Sequence, residues 1–571
     1  MKLYKFSLSA LVSILILSSC SDFLDTVPDQ SMPTETAIQS PNYFLGFLYQ
    51  AYDGIEDRVT FDYEAATDNA IANREYYKSS KAARGGISFT NNPLGDTWES
   101  SYMQINSVNW FIEHMVIDTT KLIPTPVRFD LDSVVNMEIF YLSLGEAYFL
   151  RAWYQFDLLK KYGGLAEDDK VYGFPISTKY LTYSDELDLK RNTYQECVNQ
   201  IAADCDTAFK YLPLAYTKSN GTVGEGLTND AGRANGISAL ALKARTLLLN
   251  ASPAFNKDNN TELWKSAAAA AKEAIDAIGD DDLLAFSAYF NKNNLNDAKY
   301  NNKDLFFRGP IVATDFTLEK ENFPPRAYGG NGRFNPSQNL VEAFPMKDGY
   351  PINQSPTYTY DPDNQMANRD QRLNKFIASD GQSFAGITLD TKEGGQDALG
   401  SEPNATRSGY YLKKLLDPSV SLEPGKQKKT TRAVFLLTRP ELYLNFAEAA
   451  VNATGSPDDA TYGYTARAIL AKVRKRSLGT ADVYLPTISG KDDFVELLKN
   501  ERRIELCFED FRFWDQRRWS AGAEDVSYIN TPAYGIYSDE PAEGRSFASP
   551  YMPLPFKEMV KTENLLNNKG W

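Results

Sequence analysis

The chain has 571 residues with 60 Lys+Arg, 75 Asp+Glu and a single His, for a formal net charge of −15. So acidic a chain is a poor match for the phosphates of nucleic acid, and one histidine rules out metal sites with two or three His ligands and HExxH helices. Hydrophobic content of 43% with 24% charged residues is that of a globular protein, and 13% aromatics give it many rings.

The N-terminus reads as a targeting segment. Lys2 and Lys5 precede an apolar run from Leu8 to Leu17, too short to span a bilayer. Leu17-Ser18-Ser19-Cys20 follows, a branched apolar residue and two small residues before a thiol. This is a lipobox pattern, so we expect residues 1–19 to be a signal peptide and Cys20 to be lipidated. No later apolar run reaches the ~18 residues of a membrane span, so the protein is expected to be anchored to a membrane and not embedded in one.

Downstream, helical periodicity dominates. Apolar residues recur at i, i+3, i+4, i+7 over 41–56, 97–117, 136–162, 191–212, 232–250, 262–278, 440–453, 458–476 and 492–509. Ile237, Leu240, Ala241, Ala244 and Leu248 share one face; Trp264, Ala267, Ala268, Ala271, Ile275 and Ile278 share another. Thr438-Arg439-Pro440-Glu441 reads as a capping box, with Gly455 closing that helix. The stretches 232–250 with 262–278, and 440–453 with 458–476, predict antiparallel pairs of the helical-repeat kind. Strand alternation is scarce. Cys197 and Cys205 are eight residues apart on one predicted helix, about 12 Å along its axis. That is too far for a disulfide, which needs Cα atoms within ~7 Å. Cys507 reads as a small core residue.

Loop-rich stretches lie at about 58–97, 280–435 and 520–550. The first holds Asp68, Asn69, Tyr76, Tyr77 and Arg84; within the second, 310–335 holds Phe323, Tyr328, Arg333 and Phe334. Aromatic rings beside Asp, Asn and Arg suit sugars, whose C–H faces stack on rings while their hydroxyls take hydrogen bonds. These nine are the candidate ligand-binding residues.

Other clusters carry less. Glu501, Glu505 and Glu509 repeat at i, i+4, about 6 Å apart, near the ~5–5.5 Å of a retaining glycosidase pair. Arg502, Arg503, Arg512, Arg517 and Arg518 surround them and favour ionised carboxylates, the opposite of a general acid. A structural ion-pair network is expected there. His114, Trp98, Tyr102 and Trp110 read as helix packing. Asp361-Pro362-Asp363-Asn364 and Gly279-Asp280-Asp281-Asp282 are incomplete as calcium loops, so no metal and no cofactor are expected.

Seven stretches in order resemble the SusD/RagB family of outer-membrane nutrient-binding lipoproteins. They are CSDFLD (20–25), GEAYFLRAWYQFDLLKKYGG (145–164), NPSQNLVEAFPMKDG (335–349), NRDQRL (368–373), RPELYLNFAEAA (439–450), RRIELCFEDFRFWDQRRW (502–519) and MPLPFKEMVKTENLLNNKGW (552–571). Gln371 departs from the family's usual proline. The resemblance implies an all-α fold of tetratricopeptide-like helix pairs with a large irregular, loop-rich region. It divides the chain into an N-terminal region (20–280) and a C-terminal region (281–571). It also implies a non-enzymatic surface lipoprotein that captures oligosaccharides and hands them to a SusC-type TonB-dependent outer-membrane transporter. Capture of peptides, as in some members, and a surface glycoside hydrolase are the alternatives.

Overall fold

The computed structural model describes residues 40–182, 190–216, 232–291 and 302–571, with 38 and 185; Cys20 and the signal segment lie outside the described residues. The fold is mainly helical, as the periodicity predicts. Its long helices are α1 (Pro41–Asp53), α2 (Trp98–His114), α3 (Ser133–Tyr162), α4 (Tyr194–Tyr211), α5 (Gly236–Ala251), α6 (Thr261–Ile278), α7 (Arg439–Thr454), α8 (Ala466–Leu478), α9 (Lys491–Glu505) and α10 (Phe511–Arg518). None among the described residues is long and apolar enough to cross a membrane.

Consecutive helices pack on one another from α2 to α6, α6 packs on α7, and α7 on α8 and α9. The reason is visible in the side chains. The predicted face of α5 is buried throughout, and α6 buries Trp264 with Ala267, Ala268, Ala271 and Ala274, small residues that let α5 approach closely. Capping boxes at Thr193/Glu196 and Asn235/Ser238 start α4 and α5. The expected capping box at Thr438 does not form: its side chain makes no cap bond, because the Glu441 carboxylate pairs with Arg245 instead. Gly455 does end α7, at φ +79. Residues 458–465 are turns and not the first turns of α8, and the 492–509 pattern breaks after Glu505. Cys197 and Cys205 are buried and free on an unbroken α4, and Cys507 is buried. His114 closes α2, stacked 4.2 Å from Trp110 with Nδ1 on the Trp110 carbonyl.

The large core joins side chains from 44–275 to others from 436–565, so it spans both sides of residue 280. A second core fills the loop-rich part with Phe334, Phe344, Phe376, Tyr410 and Tyr411 among others. Strands among the described residues are short and paired in twos: β1 (Ala70–Ala72), β2 (Leu305–Arg308), β3 (Val312–Asp315), β4 (Phe334–Pro336), β5 (Thr430–Arg432) and β6 (Phe435–Thr438) include the antiparallel pairs β1–β4, β3–β5 and β2–β6.

What binds the two cores is ionic. Arg372, fully buried, donates to Glu501 (2.5 Å), Glu505 (2.7 Å) and Asp370 (2.7 Å). Arg474 takes the other oxygen of Glu501 at 2.9 Å, and Arg476 pairs with Glu505. Lys414 takes Glu509 at 2.6 Å. Arg518 grips Glu448 and Asp515; Arg502 reaches Asp515 and Asn445. The acidic triplet on α9 and the turn after it is therefore held by cations, as a structural network requires. Arg369, from the same NRDQRL stretch as Arg372, caps the carbonyls of Val341, Phe344 and Gln365.

Two carboxylates in this layer titrate in opposite directions. Burial alone would raise Asp68, but Arg503 and Arg512 outweigh it and hold the group down at about 2. Glu64, fully buried, keeps one oxygen on the Asn69 amide (2.6 Å) while the other finds no partner. Burial dominates there, and Glu64 is pushed up to about 7.

Removing Arg372 leaves three carboxylates buried beside a void. Arg372→Ala should cost about 3–5 kcal/mol of unfolding free energy, read by denaturant unfolding, and a variant as stable as wild type would refute the role. Glu64 gives a pH signature. Its folded pKa exceeds its unfolded value, so the unfolded chain gives up this proton first. Stability is lost as pH rises from about 4.5 to about 7 and is level above, a change of about 3 kcal/mol from this group. Glu64→Gln should remove that component, so the variant's advantage over wild type should grow through this window. A difference that stays constant with pH would show that Glu64 is not held protonated.

Candidate ligand-binding surface

β1 pairs with β4 in the register Ala70↔Pro336, Ile71↔Asn335 and Ala72↔Phe334. This short ladder sets the loop after β1 beside the loop before β4, and side chains fasten both to a third loop. The Asn73 backbone N–H donates to the Arg333 carbonyl (2.9 Å). Its side-chain amide donates to the carbonyls of Asn331 (2.7 Å) and Asn404 (2.9 Å). Arg74 donates to the Asn404 side chain at 3.1 Å, and Arg407 to the Ala72 carbonyl at 3.1 Å.

On this base sit two rings. Tyr76 is 62% exposed and lies 4.7 Å from Tyr77, tilted by 41°. The Arg333 guanidinium lies 4.3 Å over the other ring, Tyr77, and is itself held by Glu321 (3.2 Å) and Asp62 (3.4 Å). Partial burial, then the neighbouring Tyr76, pushes the Tyr77 hydroxyl up to about 12, so it stays a neutral donor. Two polar atoms here are buried without a partner: the Asn73 side-chain oxygen and Arg333 Nε. An exposed ring fixed against a second ring that carries a guanidinium is the equipment of a sugar-stacking surface. The nearest acids are engaged: Glu321 and Asp62 by Arg333, and Glu75 by Arg84 at 2.8 Å, which keeps Glu75 below the usual carboxylate range.

The nine sequence candidates divide. Tyr76, Tyr77 and Arg333 come together. Arg84 is exposed and paired with Glu75. Tyr328 is 55% exposed on its own turn, at φ +55, with no described contact to the Tyr76–Tyr77 pair. The other four lie inside the protein and are corrected as contact residues. Asp68 is buried between Arg503 (2.8 Å) and Arg512 (2.9 Å). Asn69 is buried between Glu64 and Arg503. Phe323 packs edge-on to Phe384, and Phe334 edge-on to Phe61. Apolar rings gain from burial, and Asp68 and Asn69 are tolerated inside because Arg503 and Arg512 meet them there. Asn73, Arg74, Glu321 and Asn404 belong to the surface and were not singled out from sequence. The run Asn73-Arg74-Glu75-Tyr76-Tyr77 was a usable signal for the first two; nothing local marks Asn404, more than 300 residues away.

Comparison with known proteins agrees across both halves. Residues 286–571 match a family described as the SusD family, and residues 22–226 match one described as starch-binding associating with outer membrane. A SusD-like protein (P38) of Formosa agariphila is 24% identical over 544 residues, covering 91% of this chain and 92% of its own. A crystallised SusD-like protein of Bacteroides fragilis superposes with a TM-score of 0.71 at 22% identity, over 94% of this chain and 98% of its own. A SusD-like carbohydrate-binding protein of the same species gives 0.69 at 21%, over 93% and 100%. With the helical pairs, the loop-rich second core and matches reaching from residue 22 to the final tryptophan, the chain belongs to the SusD family.

Proposed function

We propose that the protein is a lipid-anchored outer-membrane receptor that captures oligosaccharides on the Tyr76–Tyr77–Arg333 surface and passes them, uncut, to a TonB-dependent transporter of the SusC type. The observation that carries the reading is the exposed Tyr76 ring fixed against Tyr77, over whose ring the Arg333 guanidinium lies. Relatives named for carbohydrate and surface-glycan binding support the ligand class. The pairing of Glu501, Glu505 and Glu509 with buried cations supports a binder without hydrolytic activity. The outer-membrane association given for the matched family, with the Cys20 lipobox, supports the anchor.

The test is a panel of host, plant and microbial glycans screened by calorimetry. A shallow stacking surface gains about 0.5–1.5 kcal/mol per aromatic contact beyond area burial, so a dissociation constant in the roughly micromolar-to-millimolar range is expected. Tyr76→Ala should weaken binding severalfold, by about 0.5–1.5 kcal/mol or more, and leave the melting temperature unchanged, because Tyr76 is largely solvent-exposed; adding Tyr77→Ala should take the loss to about tenfold or more. Peptide binding with silence from every glycan would select peptide capture, and shortened glycans after the assay would select an enzyme. Separately, Cys20→Ala should release the protein from the membrane fraction or leave it unprocessed; an unchanged membrane-bound form would refute lipidation at Cys20.

A further inference from the structure

A cleft of about 330 Å³ opens between the C-terminal half of α3 and the turn that joins α9 to α10. It shares no lining residue with the surface around Tyr76 and Tyr77. Its size falls in the ~300–1,000 Å³ of small-molecule sites, which concentrate where two parts of a fold meet. Glu56, Arg58, Thr60 and Ser100, all exposed, line its mouth. Farther in, Trp153, Phe156, Phe511 and Trp514 form aromatic walls.

The turn facing this cleft is held under strain. Phe508 and Asp510 both have positive φ, +60° and +61°, a conformation that costs a non-glycine residue about 1–3 kcal/mol and gathers at functional sites. Its consequence is that Asp510 lines the cleft with one carboxyl oxygen buried and without a hydrogen-bond partner. Burial, and then the charges of Glu64 and Glu56, push that carboxyl well above its ordinary range. Across from it, the Lys160 ammonium is 3.8 Å from Asp157 and 5.3 Å from the Trp514 ring, with no closer acid. Asp157 is already taken by Lys161 and Thr97, and burial lowers Lys160. The cleft thus offers stacking faces with a carboxyl that has one unpartnered oxygen and an amine held only at 3.8 Å by Asp157, both shifted toward their neutral forms. Such groups suit a guest bearing hydroxyls better than one bearing a full charge.

We propose that this cleft is a second, enclosed binding site for a pyranose-sized, uncharged polyhydroxylated molecule, a mono- or disaccharide. Its C–H faces lie against the indoles and its hydroxyls meet Asp510 and Lys160. The choice of sugars as probes rests on the glycan-capture reading; the cleft itself does not.

The experiment titrates the full-length folded protein with D-glucose, D-galactose, D-mannose, D-xylose, maltose and cellobiose. Intrinsic tryptophan fluorescence, sensitive to Trp153 and Trp514, and calorimetry are the readouts. Asp510→Gly is the informative variant, because glycine relieves the positive φ while deleting the carboxyl, so its melting temperature should be unchanged or raised. At least one sugar should saturate the wild type at millimolar concentration. Its affinity should fall about tenfold or more in Asp510→Gly and in Lys160→Met, and should persist in the variant carrying Tyr76→Ala and Tyr77→Ala. Silence from all six sugars, or full affinity in both cleft variants, overturns the proposal. Loss only in the tyrosine variant also overturns it while leaving surface capture standing. Silence of the whole glycan panel at the surface, with small-sugar binding that depends on Asp510 and Lys160 intact, supports it and counts against the surface site alone.

Discussion

Arg372 sits where no water reaches, and an ion in that position has to find its whole solvation shell in the protein. It does so through three carboxylates, two of them from consecutive turns of α9. Those carboxylates are shared in turn with Arg474 and Arg476 of α8. The arrangement is satisfied only when the 368–373 stretch, α8 and α9 are all in register. Hydrophobic burial between α5, α6 and α7 is forgiving of small slips, since apolar contact is non-directional. Charge pairing at 2.5–2.9 Å is not. The network therefore sets how the loop-rich part is seated on the helical part.

The proposed ligand surface inherits its position from the same source. Asp68 is held by Arg503 of α9 and Arg512 of α10, and the next residue, Asn69, is gripped by Arg503 as well. One residue further the chain enters β1, pairs with β4, and leaves it as the loop that carries Tyr76. Each link is short, so the two tyrosines are placed by way of α9 and α10. The aspartate and asparagine that looked like sugar ligands in the sequence are the rivets beneath the surface. Both roles call for a polar side chain in a loop, and only the tertiary partner, more than 400 residues away, tells them apart.

That distinction explains what was legible and what was not. Helices α3 to α6 were readable because each carries its own evidence, a stripe of apolar residues at a period of 3.6. The cap at Gly455 was readable because a left-handed residue after a helix is nearly always glycine. The ionic role of 501–519 was readable from like and unlike charges crowded at helical spacing. The failed capping box at Thr438 was not, since Glu441 had two possible partners and the distant one, Arg245, is charged. The break after Glu505 was hidden by apolar residues that continue the pattern through a turn with positive φ at Phe508 and Asp510. The burial of Phe323 and Phe334 was likewise hidden, because a loop aromatic carries no local mark of which way it faces.

The separation between partners also bears on the order of events during folding. Arg512 and Asp68 are 444 residues apart, and Asn568 reaches back to Tyr162 across 406. Loop closure over such distances is slow, and the cost is met before any contact repays it. The helical pairs from α2 to α6 can assemble as the chain emerges, each on its neighbour. The loop that carries the tyrosines has no foundation until α10 exists, and α10 ends only some fifty residues before the C-terminus. A chain that stopped short of α10 would thus keep most of its helices and leave the tyrosine loop without its footing.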